Sequence, residues 1–364
     1  MSDRQFWLGF SLVPEIGPKR LALLLNAFGS LEQAWHASES ALHRAGLDPQ
    51  PTANLLRTRA KIDLQAELDK ITRAGAQLVT LVDESYPPLL KQIPDAPVIL
   101  YVRGSLLPED KRALAIVGTR KATTYGKDVA GLLAGQLAER GITVISGMAH
   151  GIDAAAHRAA LEAGGRTIAV MGCGIDQVYP RDHGELARRI SEQGAVISEF
   201  PLGARPEAHH FPRRNRVISG MSLGVLVVEA PEQSGAIITT SYAAEQGREV
   251  FAVPGSIFSA VSGGTNRLIQ DGAKLVLTVE DILSELNLAH EVAQTRVTAE
   301  RIAPANPIEA SIIDCLSAEP LHIDDLVRQT GLPIATVSST LTVLELKGLA
   351  RMVGHMQYNL VYSR

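Results

Sequence analysis

Leu114-Ala115-Ile116-Val117-Gly118-Thr119-Arg120 is the stretch that decides the fold: four apolar residues closing on a glycine and two polar side chains. An apolar run this short, without polar alternation, predicts a strand buried on both faces. The glycine marks the turn, and the helix that follows is expected to begin near Thr123-Thr124-Tyr125-Gly126.

Outward from that stretch the pattern repeats. Ile142-Thr143-Val144-Ile145, Thr167-Ile168-Ala169-Val170-Met171, Ala195-Val196-Ile197, Val225-Leu226-Val227-Val228 and Val250-Phe251-Ala252-Val253 are further apolar runs separated by helix-length segments. Units of about 25 to 30 residues are what right-handed βαβ crossovers require. The fold class is therefore α/β, a Rossmann-like, doubly wound, mostly parallel sheet. Composition agrees, with 46% hydrophobic residues but only 4% aromatics. In such sheets ligands bind at the C-terminal ends of the strands.

The flanks read differently. Residues 1–75 form a helical domain, with Leu21, Leu24, Leu25 and Phe28 at helical spacing. The turn Leu12-Val13-Pro14-Glu15-Ile16-Gly17-Pro18 before them is similar to a helix-hairpin-helix turn. Glu15 stands where its first glycine belongs, and an acid there repels phosphate, so a packing or assembly role is the preferred reading. Residues 76–288 are the core, opened by an extended segment that contributes a strand around Val98-Ile99-Leu100-Tyr101-Val102. Residues 289–307 read as a linker. Residues 308–364 read as a winged-helix domain, whose third helix carries Val337, Leu341 and Leu344 on one face. Its Ser338, Ser339, Thr340 and Thr342 favour protein contact over duplex reading.

The net charge of −4 excludes a globally basic nucleic-acid binder but allows a local basic groove. Cys173 and Cys315 have no partner at metal-ligand spacing, so neither a disulfide framework nor a zinc site is expected. No charged leader with an apolar core opens the chain, and no apolar run is long enough to span a membrane. The expectation is a reduced, cytoplasmic protein without membrane contact.

Two nucleotide motifs fail on inspection. Gly118 and Gly126-Lys127 lie too far apart for a P-loop, and Asp128 replaces the magnesium-binding hydroxyl. Gly172-Cys173-Gly174 lacks the third glycine of a dinucleotide fingerprint. What remains is three small-residue strand ends: Gly118-Thr119-Arg120; Ser146-Gly147-Met148-Ala149-His150-Gly151; and Glu229 to Gly235, closing on Ser234-Gly235. Glycine there lets a phosphate approach the backbone, while Arg120 and helix N-termini supply positive potential. The strongest electrostatic feature is His209-His210-Phe211-Pro212-Arg213-Arg214-Asn215-Arg216. A helix would turn Arg213 and Arg216 to one face and Arg214 and Asn215 aside, with Phe211 a stacking platform for a base. An ion-pair network bracing the sheet is the competing reading. No catalytic or metal constellation is identified. Asp153 and His157, one helical turn apart, are expected to order the start of their helix.

These motifs, together with Val253-Pro254-Gly255 and Gly263-Gly264-Thr265-Asn266 in the same order, resemble the bacterial DNA-processing protein A (DprA/Smf) family across the core. The resemblance implies a non-enzymatic, cofactor-free single-stranded DNA-binding protein. It also implies protection of incoming strands, help in loading the RecA recombinase during natural transformation, and a homodimer through the core. Carried over, Arg120, Phe211, Arg213, Arg214 and Asn215 are candidates for the DNA groove. His150 departs from the Lys or Arg that the resemblance leads one to expect, and would attract phosphate weakly at neutral pH. The alternative is a Rossmann-like phosphoribohydrolase with a mononucleotide pocket. Its Pro-Gly-Gly-x-Gly-Thr loop would have to be Pro231-Glu232-Gln233-Ser234-Gly235-Ala236, which lacks the paired glycines. A third reading is an assembly scaffold with a vestigial pocket.

Overall fold

The computed structural model describes residues 4–288, 306–317, 320–346, 350–354 and 356–360. Most of the linker, residues 289–305, lies outside them. The chain forms two compact units, Met1–Leu286 and Asn287–Arg364.

The first unit is built on a nine-stranded sheet: β1 (Gln77–Thr80), β2 (Ile99–Gly104), β3 (Ala113–Val117), β4 (Thr143–Ser146), β5 (Thr167–Met171), β6 (Ala195–Ser198), β7 (Gly224–Val227), β8 (Glu249–Ala252) and β9 (Lys274–Leu275). Their order is β1-β2-β6-β5-β4-β3-β7-β8-β9. Strands β3 to β7 are buried at every residue, which is why they carry unbroken apolar or small side chains. Every pair from β6 through β9 is parallel, whereas β1–β2 and β2–β6 are antiparallel. The extended segment after residue 75 therefore supplies two strands where the sequence predicts one. Gln77–Thr80 closely follows a helix ending at Arg73 and has too little apolar length to register as a strand by itself.

Six helices precede the sheet: α1 (Arg4–Ser11), α2 (Pro18–Phe28), α3 (Leu31–His36), α4 (Glu39–Arg44), α5 (Pro49–Arg59) and α6 (Leu64–Arg73). Phe6, Trp7, Phe10 and Trp35 share one apolar core with Tyr101, Met171, Ile175 and Ile190. The sequence places a domain boundary at residue 75, and across it these aromatics share their core with residues of the sheet. Helices α7 (Pro88–Lys91), α8 (Thr124–Glu139), α9 (Ile152–Glu162), α10 (Gly184–Gln193), α11 (His210–Gly220), α12 (Gly235–Glu245), α13 (Gly263–Gln270) and α14 (Val279–Glu285) complete the unit. Val217 and Ile218 of α11 pack with Leu90, Ile93 and Val225 in a second core.

The chain fills β3 to β6 on one side, then returns to lay β7 beside β3. The loops after β3 and β7 therefore diverge at the switch point, opening a crevice between them.

The second unit packs α15 (Pro307–Cys315), α16 (Ile323–Thr330) and α17 (Ile334–Leu346) with a small sheet of β10 (Leu321–His322), β12 (Gln357–Leu360) and β11 (Ala350–Gly354). Val337, Leu341 and Leu344 are fully buried with Ile312, Leu326 and Tyr358, as the winged-helix reading requires. Gly331 ends α16 in the left-handed region, at φ 67°.

Candidate nucleic-acid interface

The loop after β3 turns at Gly118, and Thr119 N donates to Glu229 O at 2.7 Å, tying it to the loop after β7. Gly151 has φ 78°, and a Cβ there would lie 2.3 Å from Thr119 O, so only glycine lets the loops after β3 and β4 touch. The N-terminus of α8 is not open to a phosphate. The buried Glu229 carboxylate accepts from Thr123 N at 2.9 Å and Thr123 Oγ1 at 2.5 Å. An internal anion thus occupies the position that the sequence reading leaves for a ligand.

Helix α11 has the predicted facing. Arg213 and Arg216 turn to one side and meet Glu199, at 3.1 and 2.5 Å. Arg216 also bonds Asp95 through Nε at 3.1 Å and is 6% exposed. Arg214 turns inward, its Nη1 donating to Gly147 O at 2.6 Å and Val170 O at 2.5 Å. A Cβ at Gly147 would strike that guanidinium at 2.3 Å, which accounts for the glycine. Asn215 donates through Nδ2 to Gly235 O at 3.2 Å. Ser146 is fully buried and donates to Ile116 O at 2.6 Å. Asn215, Arg216 and Ser146 thus have their polar atoms taken up by protein partners, and Arg214 is anchored through Nε and Nη1 while lining the cavity wall.

Gly118, Thr119, Arg120, Phe211, Arg214, Asn215, Ser234 and Gly235 line one cavity of about 310 Å³ at the switch point. Gly147, His150, Tyr179 and Arg181 line a second, about 230 Å³, which shares Arg120, Ala149, Phe211 and Arg214 with the first. Between the two lobes the Arg120 guanidinium lies over the Phe211 ring, 5.1 Å from its centroid. Tyr179 stands 5.8 Å from the same ring. Ser146, Gly151, Arg213 and Arg216 line neither lobe. Arg213 instead faces a third hollow, about 620 Å³, bordered by Leu12 to Arg20, Pro94, Asp95 and Pro201. In that turn Arg20 Nη1 donates to Glu15 O at 2.8 Å and Nη2 pairs with Asp48.

Burial raises the Asp153 pKa, opposed by the Arg214 charge and by N–H donation from Ala149 and Gly147. Burial likewise lowers Arg214 to about 10, opposed by Asp153, so the guanidinium stays charged at neutral pH. Asp153 and His157 each bond to a neighbouring element rather than to one another. Asp153 accepts from Gly147 N and Ala149 N, each at 3.2 Å, while His157 Nδ1 meets Thr167 Oγ1 at 2.7 Å. The residues overlooked in the sequence are Glu199, Tyr179 and Arg181, while Glu229 is read there as part of its loop but not as a cap for α8. Glu199 lies 14 and 17 positions from the arginines it binds, and the loop carrying Tyr179 and Arg181 opens with the Gly172-Cys173-Gly174 turn that fails as a dinucleotide fingerprint.

A doubly wound α/β core with a cation- and aromatic-rimmed cleft at its switch point, in one chain with a winged-helix unit, defines a narrow class of protein. Residues 77–287 match the family described as DNA recombination-mediator protein A, and residues 297–354 match the DprA winged helix domain. Protein Smf of Synechocystis sp. is 34% identical, covering 98% of each chain. The structure of DNA processing protein A from Streptococcus pneumoniae is similar at a TM-score of 0.68 and 35% identity, covering 78% of this chain and 98% of that one. A second, from Helicobacter pylori and described for its single-stranded DNA binding mode, has a TM-score of 0.53 and 29% identity, covering 58% and 97%. The chain belongs to the DNA-processing protein A (DprA/Smf) family.

Proposed function

We propose that the bilobed cleft binds single-stranded DNA and performs no covalent chemistry. The observation that carries this reading is Arg120, exposed over the Phe211 face between the lobes, with no carboxylate within 4.0 Å among the described residues. A cation and an aromatic face at one rim serve a phosphate and a neighbouring base together. Gly118, Thr119, Ser234 and Gly235 form the wall along which the backbone runs, and Gly147, His150 and Gly151 flank the second lobe. Phe211 stacks a base, Arg120 and Arg181 neutralise phosphates, and Arg213 adds a weaker attraction because Glu199 already shares its charge. Arg214, Asn215, Arg216 and Ser146 hold these groups in place. The single-stranded DNA binding described for the Helicobacter pylori relative supports this reading.

The carboxylates near the cleft support binding over catalysis. Glu229 caps α8 and Asp153 accepts two backbone N–H groups, so neither is presented as a nucleophile or general acid. Family membership supports the remaining roles: protection of incoming strands in recombination and natural transformation, help in loading RecA, a homodimer through the core, and a cytoplasmic location. No helix among the described residues is long and apolar enough to cross a membrane.

Titrating the full chain into a fluorescein-labelled oligothymidine, and separately into a duplex of equal length, tests the reading. Single-strand affinity at least about tenfold above that for duplex is expected, since duplexed bases cannot reach Phe211. Equal affinity, or binding to neither, contradicts it.

A further inference from the structure

His183 is 3% exposed, and its Nδ1 lies 2.9 Å from the carbonyl oxygen of Met148. A carbonyl only accepts, so Nδ1 carries the proton and Nε2 is left with its lone pair in the neutral ring. This is how proteins orient a metal-binding imidazole, by donating the other ring N–H to a backbone carbonyl. Met148 holds φ 60°, an uncommon conformation for a side-chain-bearing residue, in the peptide that presents this carbonyl.

Two further donors lie close by, one from a different loop and one from the preceding residue in sequence. His150 Nε2 lies 3.6 Å from Asp182 Oδ1, and the His150 and His183 rings meet edge to face at 4.7 Å. One ligand atom each from His150, Asp182 and His183 lie within 4.8 Å of one another. A tetrahedral zinc site sets its ligand atoms about 3.3 Å apart, and the exposed His150 and Asp182 side chains are free to close that difference.

We infer that His150, Asp182 and His183 form a binding site for one divalent transition-metal ion of the zinc class. Two imidazoles and one carboxylate suit Zn²⁺ over Mg²⁺ or Ca²⁺, which take oxygen ligands. Three protein ligands leave a fourth position open. Of the three, His150 also lines the smaller lobe, together with Arg181 and Arg120. Sequence spacing hides the site, because the loop after β4 meets the segment before α10 only in the folded chain. The inference is independent of strand binding, since the metal alone reads it out.

The test uses the tag-free full chain, stripped with chelator and titrated with Zn²⁺ against a chromophoric chelator. One Zn²⁺ per chain is expected. His150→Ala and Asp182→Asn, both at exposed side chains, should each weaken uptake at least about tenfold. His209→Ala should bind as the parent does, reporting on the separate trio Glu207, His209 and His210. Co²⁺ should give the strong visible absorption of four-coordination in the parent and lose it in His150→Ala. Absence of uptake, parental uptake in His150→Ala or Asp182→Asn, or a loss that follows His209→Ala overturns the site.

Discussion

Glu199 organises the charges that the sequence shows as an undivided basic run. Its carboxylate is buried between Arg213 and Arg216, and burial raises its pKa against the pull of both guanidinium groups. Arg216→Ala leaves a buried carboxylate with a single, exposed partner. A loss of about 3 kcal/mol in unfolding free energy by urea titration is expected. A loss under about 1 kcal/mol would show that the pair behaves as an ordinary surface contact. The helical facing of Arg213, Arg214, Asn215 and Arg216 was legible from spacing. Which cations remain free was not, because Glu199 comes from a loop that only the tertiary fold brings near. Arg120 is the counter-example, a cation at a strand end whose exposure follows directly from its place in the motif.

At the scale of elements, His157 joins α9 to β5. Thr167 Oγ1 donates to Val144 O and so accepts from the His157 Nδ1–H, while burial lowers the His157 pKa to about 3. The unfolded value is about 6.5, so the unfolded chain binds the extra proton between these limits. This contribution is complete above about pH 6.5 and declines as the pH falls toward 3, by about 1.4 kcal/mol per unit. Urea titrations at pH 7, 6 and 5 should show that decline in the parent and a shallower one in His157→Gln. An identical slope in both would assign the acid sensitivity elsewhere. The five strands β3 to β7 were readable because burial on both faces demands unbroken apolar or small side chains. By contrast, β1 and β9 escaped notice: β1 is a short hydrogen-bonded edge, and β9 is two exposed residues.

For the whole molecule, a net charge of −4 means that attraction to a polyanion must be local. Helix α17 carries no lysine or arginine and places exposed hydroxyls at Ser339 and Thr342, both bonded within the helix. The proposal places phosphate attraction in the cleft of the first unit, and at Arg120 above all. The most direct measurement is the salt dependence of oligothymidine binding by the parent and by Arg120→Ala. The account predicts affinity about tenfold weaker in the variant, with the log–log salt slope shallower by about 0.7, one phosphate contact on a single strand. The same affinity and slope in both proteins would contradict it and place the strand, if bound, away from this cleft.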